Sequence, residues 1–175
     1  MDINAKKSIA GQVREFHMPR YRELPDMGLY LEQTVKYING VLQPLGGIEL
    51  TGSMVSNYVK KNLIANPVKK QYYAEQIAYL FFVVVAKNQL SMEDIGLLIE
   101  MQQSTYTLPM AYDYLCEELE NMIFYIFGAK ETLEDLGTTQ SGEKDLLRNV
   151  ILSFAISVFM RNRLQQYRES RDEAK

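Results

Sequence analysis

Residues 51–80, TGSMVSNYVKKNLIANPVKKQYYAEQIAYL, predict a helix, a short basic loop and a second helix. Thr51 is expected to cap the first helix, because its hydroxyl can accept a hydrogen bond from a free N–H of the first turn. Val55, Tyr58 and Val59 recur at helical spacing and predict an apolar face that packs on a core. With the helical patterns that follow, this stretch predicts an all-α fold.

The other side of the first helix is polar. Ser53, Ser56, Asn57 and Lys60 fall at i, i+3, i+4 and i+7, so they share one face. Short hydroxyl, amide and ammonium groups suit hydrogen bonding to base edges and phosphates in DNA. Residues 50–74 contain four lysines and no acidic side chain. The alternative interpretation is an ordinary amphipathic helix with a solvated face, which is common in helical proteins.

The segments MVSNYVKKNLI, KKQYYAEQIAYL and LSMEDIGLLIE together resemble the helix-turn-helix of MerR-type regulators. In that family a leucine pair ends the recognition helix. A wing loop with proline and basic residues follows, then a tyrosine that starts the next helix, then a helix beginning with leucine–serine–x–glutamate. The resemblance implies a recognition helix over residues 51–64 and a short basic wing over residues 65–72. The matching residues are Leu63 and Ile64, Pro67 and Lys70, Tyr72, and Leu90, Ser91 and Glu93.

A longer resemblance includes HMPRYRELPDMGLYLEQTV over residues 17–35 and continues to about residue 100. It is to an uncharacterised bacterial family recorded only as a domain of unknown function. That family is inferred to bind DNA through the same MerR-like element. The resemblance therefore implies a DNA-binding regulator, and it does not supply the regulated process.

Two departures from the MerR pattern affect the expected DNA contacts. Ser56 stands where the family usually has a phosphate-gripping arginine, and Asn57 stands where it usually has a tyrosine. The wing between Ile64 and Tyr72 is several residues shorter, which predicts no well-formed two-stranded ribbon. We therefore expect lysines to hold the phosphates. The predicted DNA-binding residues are Ser53, Ser56, Asn57, Lys60, Lys61, Lys69, Lys70 and Tyr72.

The predicted organisation is a short-wing, MerR-like helix-turn-helix module followed by a C-terminal helical pair. A basic N-terminal arm is predicted over residues 1–22, the helix-turn-helix domain over residues 23–104, and a dimerisation or effector region over residues 105–175. The supporting helix is predicted to start after Asp26 and to end near Leu42.

The later helices are predicted from long apolar stretches. Residues 77–86 are half as long as a bilayer-spanning helix, so a buried central helix and no membrane association are expected. The last helix, from Glu143 to about Arg168, is apolar on almost every side over residues 150–160. Such a helix is central to a bundle or shared with a second subunit. A homodimer through the C-terminal helices is therefore predicted.

Charge and composition narrow the function classes. The 175 residues carry a net charge of −3, with a balance of +4 in residues 1–74 and −7 in residues 75–175. A basic first part and an acidic second part suit a DNA-facing module. The single Cys116 excludes an intrachain disulfide and a multi-cysteine zinc site, and His17 is the only histidine. We expect no enzyme activity, no cofactor and no metal, and a cytoplasmic location because no signal peptide is evident.

Two functions remain open from the sequence. The first is a transcription regulator that inserts the helix over residues 51–64 into the major groove of double-stranded DNA, with one module per half-site. Whether an effector binds the C-terminal region is left open. The second is a protein–protein interaction module that has the helix-turn-helix shape without DNA binding. The missing arginine, the short wing and the negative net charge favour this alternative.

Overall fold

The computed structural model describes residues 11, 13–136 and 141–173. Within these residues the chain is mostly helical, which confirms the all-α prediction at the level of fold class. One small two-stranded sheet was not predicted. The helices are α1 (Leu31–Leu42), α2 (Gly52–Lys60), α3 (Ala74–Ala86), α4 (Met92–Thr105), α5 (Leu108–Ile126) and α6 (Gly142–Glu173), and the strands are β1 (Leu29–Tyr30) and β2 (Gln71–Tyr72).

Helix α3 lies at the centre of the fold. All of its residues from Gln76 to Ala86 except Phe82 are buried, so the predicted buried central helix is confirmed. The ring of Phe81 lies 6.1 Å from that of Tyr112 on α5 and 6.3 Å from that of Tyr37 on α1. The buried apolar residues form one continuous cluster that runs from the N-terminal segment to α6. The core is therefore not interrupted at the predicted boundary near residue 104.

The segment before β1 packs against α5 instead of extending as an arm. Val13, Phe16 and Met18 are buried in the core. The guanidinium of Arg20 binds the carboxylate of Glu120 on α5, with Nη2 2.7 Å from Oε2. The first ten residues of the predicted arm lie outside the described residues. The described part of this segment is thus anchored to the body by a few buried apolar side chains and an ion pair.

Helix α1 begins later than predicted. It starts at Leu31, not after Asp26, because the two residues before it form β1 and pair antiparallel with β2. Gly28 permits this close pairing, since a Cβ at that position would lie 2.7 Å from the Cβ of Gln71. The predicted end of the helix at Leu42 is confirmed. The short sheet therefore ties the entry of α1 to the loop that follows α2.

Helix α2 has the predicted start and a shorter length. Thr51 Oγ1 accepts a hydrogen bond from the backbone N–H of Met54 at 3.3 Å, which confirms the predicted cap. The helix ends at Lys60, four residues before the predicted end, because Asn62 takes a left-handed conformation with φ 58°. Asparagine tolerates this region better than most residues. The chain then turns back and buries the side chains of Leu63 and Ile64 in the core.

The long helix α6 packs one side on the bundle and leaves the other exposed. It runs to Glu173, beyond the predicted end near Arg168. Asn162 Nδ2 donates a hydrogen bond to the carbonyl of Leu45 at 2.8 Å, which fixes this part of the helix near the end of α1. No helix in the described residues is long and apolar enough to cross a membrane. The buried residues of α6 are Val150, Ile151, Phe154, Ala155 and Val158.

Candidate nucleic-acid interface

Helix α2 carries the two faces that its spacing predicts. Val55 and Tyr58 are buried, at 0% and 4% exposure, so they hold the helix on the core. The opposite side chains are exposed. We call these exposed residues the α2 polar face: Ser53, Ser56, Asn57, Lys60 and Lys61.

The hydroxyls on this face have local partners, and the Asn57 amide has one weak partner on α4. Ser56 Oγ donates to the carbonyl of Gly52 at 2.9 Å, and Ser53 Oγ lies 2.9 Å from Thr51 Oγ1. Asn57 Nδ2 lies 3.8 Å from Met92 Sδ at the start of α4. A thioether sulfur is a weak acceptor, so this contact can be exchanged for a better one. Both hydroxyls also retain acceptor capacity, and the face can therefore hydrogen-bond to an external ligand.

The wing forms a tight hairpin with a basic tip. Val68 and Gln71 exchange both backbone hydrogen bonds, at 3.0 and 2.9 Å, around a turn made of Lys69 and Lys70. Inside the wing this is a single isolated bridge, so the prediction that the wing is too short for a well-formed two-stranded ribbon is confirmed. A two-residue turn needs little chain, and β1 supplies the pairing edge for β2. We call residues 68–71 the basic hairpin.

The turn of the basic hairpin has an unusual composition. Lys69 and Lys70 have φ values of 50° and 67°, so both lie in the left-handed region. A two-residue hairpin turn with both φ values positive strongly prefers Asn–Gly or Asp–Gly. A residue with an ordinary side chain loses roughly 1 kcal/mol or more in this conformation. The lysines are therefore held at the tip against their own backbone preference.

The lysines of this region are not neutralised by neighbouring acids. Both tip lysines are exposed, as are Lys60, the last residue of α2, and Lys61, which follows it. Within the described residues, none of the four takes part in an ion pair or a side-chain hydrogen bond. Their charge is therefore available to an anionic ligand. The four are Lys60, Lys61, Lys69 and Lys70.

Tyr72 does not belong to this surface. Its side chain is 5% exposed, and burial raises the pKa of its hydroxyl above the usual value. The cause is the strand geometry, because successive side chains of β2 point to opposite sides. Gln71 and Tyr73 consequently lie on the outside, where the Tyr73 hydroxyl donates to Gln71 Oε1 at 3.4 Å. The sequence Gln–Tyr–Tyr over residues 71–73 contains no alternation of apolar and polar residues that would indicate which tyrosine is buried.

An acidic turn borders the α2 polar face. The contact between Asn57 and Met92 brings the first turn of α4 beside α2. That turn carries Glu93 and Asp94, which are exposed. The Asp94 carboxylate accepts a hydrogen bond from Ser91 Oγ at 2.6 Å, at the helix N-terminus that favours negative charge. These carboxylates limit the directions from which a polyanion can approach the face.

Groups suited to catalysis or metal binding are not assembled in the described residues. No cluster of three or more His, Cys, Asp or Glu side chains there could hold a metal ion. His17 Nδ1 lies 3.0 Å from Glu120 Oε1 at the surface of α5. Cys116 is buried, and desolvation raises the pKa of its thiol to about 12. This cysteine is therefore a protonated core residue.

Comparison with known protein families gives a match over the first part of the chain. The family model described as "Domain of unknown function (DUF1836)" matches residues 19–115, which is just over half of the chain. No curated protein and no solved structure matches significantly. The matched region contains α1 to α4, the small sheet and the start of α5. The predicted resemblance to a family of unknown function is confirmed, and its MerR-like character stays a prediction.

Proposed function

The chain belongs to the DUF1836 family of domains of unknown function, and we propose that it binds double-stranded DNA as a transcription regulator through the α2 polar face and the basic hairpin. The observation that supports this most is the joint exposure of seven of the eight predicted DNA-binding residues, all except Tyr72. They lie on α2 and on the hairpin that follows it. Four lysines without acidic partners on two consecutive elements suit a phosphate backbone.

In the proposed complex α2 enters the major groove. Ser53, Ser56 and Asn57 face the base edges, where the asparagine amide can pair with adenine through two hydrogen bonds. Lys60 and Lys61 at the end of the helix, with the two tip lysines of the basic hairpin, hold the phosphates. The site shares with the MerR-like arrangement the order of its elements along the chain, in which a helix is followed by a basic turn.

The test of DNA binding is a titration against duplex DNA at several salt concentrations. Four lysine–phosphate contacts should give a log–log slope of about −3 to −4 for one module, and about twice that for two modules. A slope near zero would contradict the proposal, because a lysine-based interface must release counterions.

The specificity arm of this experiment uses Asn57→Ala on a duplex selected from a random pool. The variant should lose roughly 1–3 kcal/mol on the selected sequence and almost nothing on random duplex. Asn149→Ala is the matched control, because Asn149 is an exposed asparagine on α6. Equal losses on both duplexes would exclude the base-contact role of Asn57.

One module makes few contacts, so we propose that two copies act together through α6. Ile156, Met160, Leu164 and Tyr167 are between 43% and 71% exposed and lie at i, i+4, i+8 and i+11, which places them on one side of the helix. A row of exposed apolar side chains on one helix face is typical of helix pairing.

The homodimer is tested by sedimentation of the whole chain. The double variant Met160→Glu, Leu164→Glu should sediment as a monomer, because four charges would be buried in the pairing of two helices. The control is Gln165→Glu, Glu169→Gln, which changes exposed polar side chains of the same helix. A parent chain that is monomeric at high concentration would remove this part of the proposal.

The second candidate, a protein-binding module, is favoured by apolar groups around the same surface. Val68 is 57% exposed, Tyr73 37% and Met92 36%. Together with the acidic first turn of α4, they provide the mixed surface that protein partners use. A flat salt dependence with duplex DNA would favour this function over the first.

A further inference from the structure

Helices α3, α4, α5 and α6 surround a cavity of about 320 Å³. It shares no residue with the α2 polar face or with the basic hairpin. Cavities that hold small molecules are typically about 300–1,000 Å³ and mostly apolar. The size therefore suits one compact ligand.

The wall is made of aliphatic side chains and tyrosine rings. Phe82, Leu98, Leu115 and Leu147 come from four different helices. Tyr79 donates a hydrogen bond to Gln102 Oε1 at 3.1 Å and accepts one from Gln103 Nε2 at 3.1 Å. Since its hydroxyl is already bonded on both sides, this tyrosine offers mainly its ring to the cavity.

The amide of Gln102 is also engaged. Its Nε2 donates to the carbonyl of Tyr106 at 2.8 Å, at the end of α4. Two of the polar side chains in the wall therefore bond to each other and to the backbone. A ligand that brought strong hydrogen-bonding groups to this wall would have to break those bonds. This part of the wall therefore offers a ligand apolar surface, while the buried hydroxyl of Tyr114, elsewhere in the wall, has no hydrogen-bond partner among the described residues.

The charges in the wall do not favour either sign. Among the described residues that line the cavity, Glu143 and Lys144 carry charge, and they are consecutive at the start of α6. The Lys144 ammonium lies 5.7 Å from the centre of the Tyr114 ring. The two opposite charges give this end no net attraction for an anion or for a cation. A charged ligand would therefore be desolvated without compensation, and an uncharged ligand avoids that cost.

From the cavity size, the ring-rich wall and the balanced charges, we infer that this cavity binds an uncharged, mainly apolar small molecule with aromatic or alicyclic rings. Binding there requires neither DNA nor a second copy of the chain. Part of the wall is α6, which lies outside the residues that the family model matches. The ligand preference goes beyond the proposed function.

The test uses two fluorescent probes with the same ring system. N-phenyl-1-naphthylamine is neutral, and 8-anilino-1-naphthalenesulfonate carries an added sulfonate. With the folded full chain, the neutral probe should bind saturably at one site and raise the Tm. The sulfonate should bind at least about tenfold more weakly, because its charge must be desolvated. Equal affinity for the two probes, or fluorescence that does not saturate, would overturn the inference.

A substitution that fills the cavity tests whether the neutral probe binds there. Ala111 on α5 lines the cavity, and Ala111→Phe should weaken the neutral probe by about tenfold or more because the new ring occupies the space. Ala129→Phe makes the same exchange at an exposed position that does not line the cavity, and it should leave affinity unchanged.

A second variant covers the case in which Ala111→Phe disturbs packing. Leu98 is only partly buried, so Leu98→Gln can be accommodated while making the wall polar, and it should weaken the neutral probe several-fold. Unchanged affinity in both variants, with both folded by circular dichroism, would place the probe elsewhere and contradict the assignment.

Discussion

Replacing Lys69–Lys70 by Asn–Gly is expected to make the protein more stable. Both lysines have left-handed φ values, and Asn–Gly is the preferred sequence for a two-residue turn of this kind. We expect the free energy of unfolding to rise by about 1 kcal/mol, since relief of backbone strain exceeds the extra freedom of glycine in the unfolded chain. Urea denaturation of parent and variant at the same pH measures this difference.

The same variant should bind DNA less tightly. It removes two positive charges from the hairpin tip, so the log–log salt slope should become shallower by about two units per module. The loss should be similar on every sequence, because phosphate contacts carry no base information. A gain in stability that accompanies a loss of binding would show that the lysines serve the ligand at a cost to the fold.

The matched control removes two charges from another element. Arg168→Gln, Arg171→Gln changes exposed residues near the end of α6. It should leave the salt slope nearly unchanged if contact with the phosphates is local to the hairpin. Equal effects in the two double variants would mean that net charge alone governs binding. A hairpin variant that is less stable than the parent would exclude the strain argument.

Local patterns in the sequence predicted the local features of the fold. The Thr51 cap and the two faces of α2 depend on residues within one or two helical turns, and both are present. Features that join distant residues were missed. The β1–β2 pairing joins Leu29 to Tyr72, and it moved the start of α1 and buried the tyrosine. A pattern of apolar residues within one segment does not predict which distant segment will pair with it.

The same limit applies to the N-terminal segment and to the cavity. The basic arm was predicted from its own composition, but Arg20 is neutralised by Glu120, 100 positions later in the chain. The cavity has walls from four helices, so its existence depends on how they pack. The left-handed turn was not predicted, because its two positions are occupied by lysines and not by glycine or asparagine. For the proposed interface, sequence identified the side chains, and the structure supplied their exposure.

Removal of the Arg148 guanidinium is expected to have the largest effect on stability. Glu118 on α5 has no exposed side-chain surface, and its Oε1 lies 2.9 Å from Arg148 Nε on α6. Arg148→Met keeps the length of the side chain and removes the charge. The buried carboxylate then lacks its partner, which typically costs about 3–5 kcal/mol near neutral pH. Arg168→Met, at an exposed position of the same helix, should change stability by less than about 0.5 kcal/mol.

The cost should depend on pH in a defined direction. Desolvation raises the pKa of Glu118 above its ordinary value of 4.5, and Arg148 opposes that shift. Without the arginine the folded-state pKa rises further, so the folded protein binds this proton more tightly than the unfolded chain does. Stability of Arg148→Met therefore falls as pH increases from 4.5 through the raised pKa, and below pH 4.5 the carboxyl is neutral in both states and this cost disappears.

Unfolding of Arg148→Met should be measured from pH 4 to pH 8, beside the double variant Glu118→Gln, Arg148→Met. The double variant has no carboxyl to ionise at this position, so its stability relative to the parent should vary less over that range. At pH 7 it should be more stable than the single variant, because a neutral amide costs less to bury than an unpaired carboxylate. A loss in Arg148→Met that is equal at pH 4 and pH 8 would mean that the arginine acts through packing between α5 and α6 and not through charge.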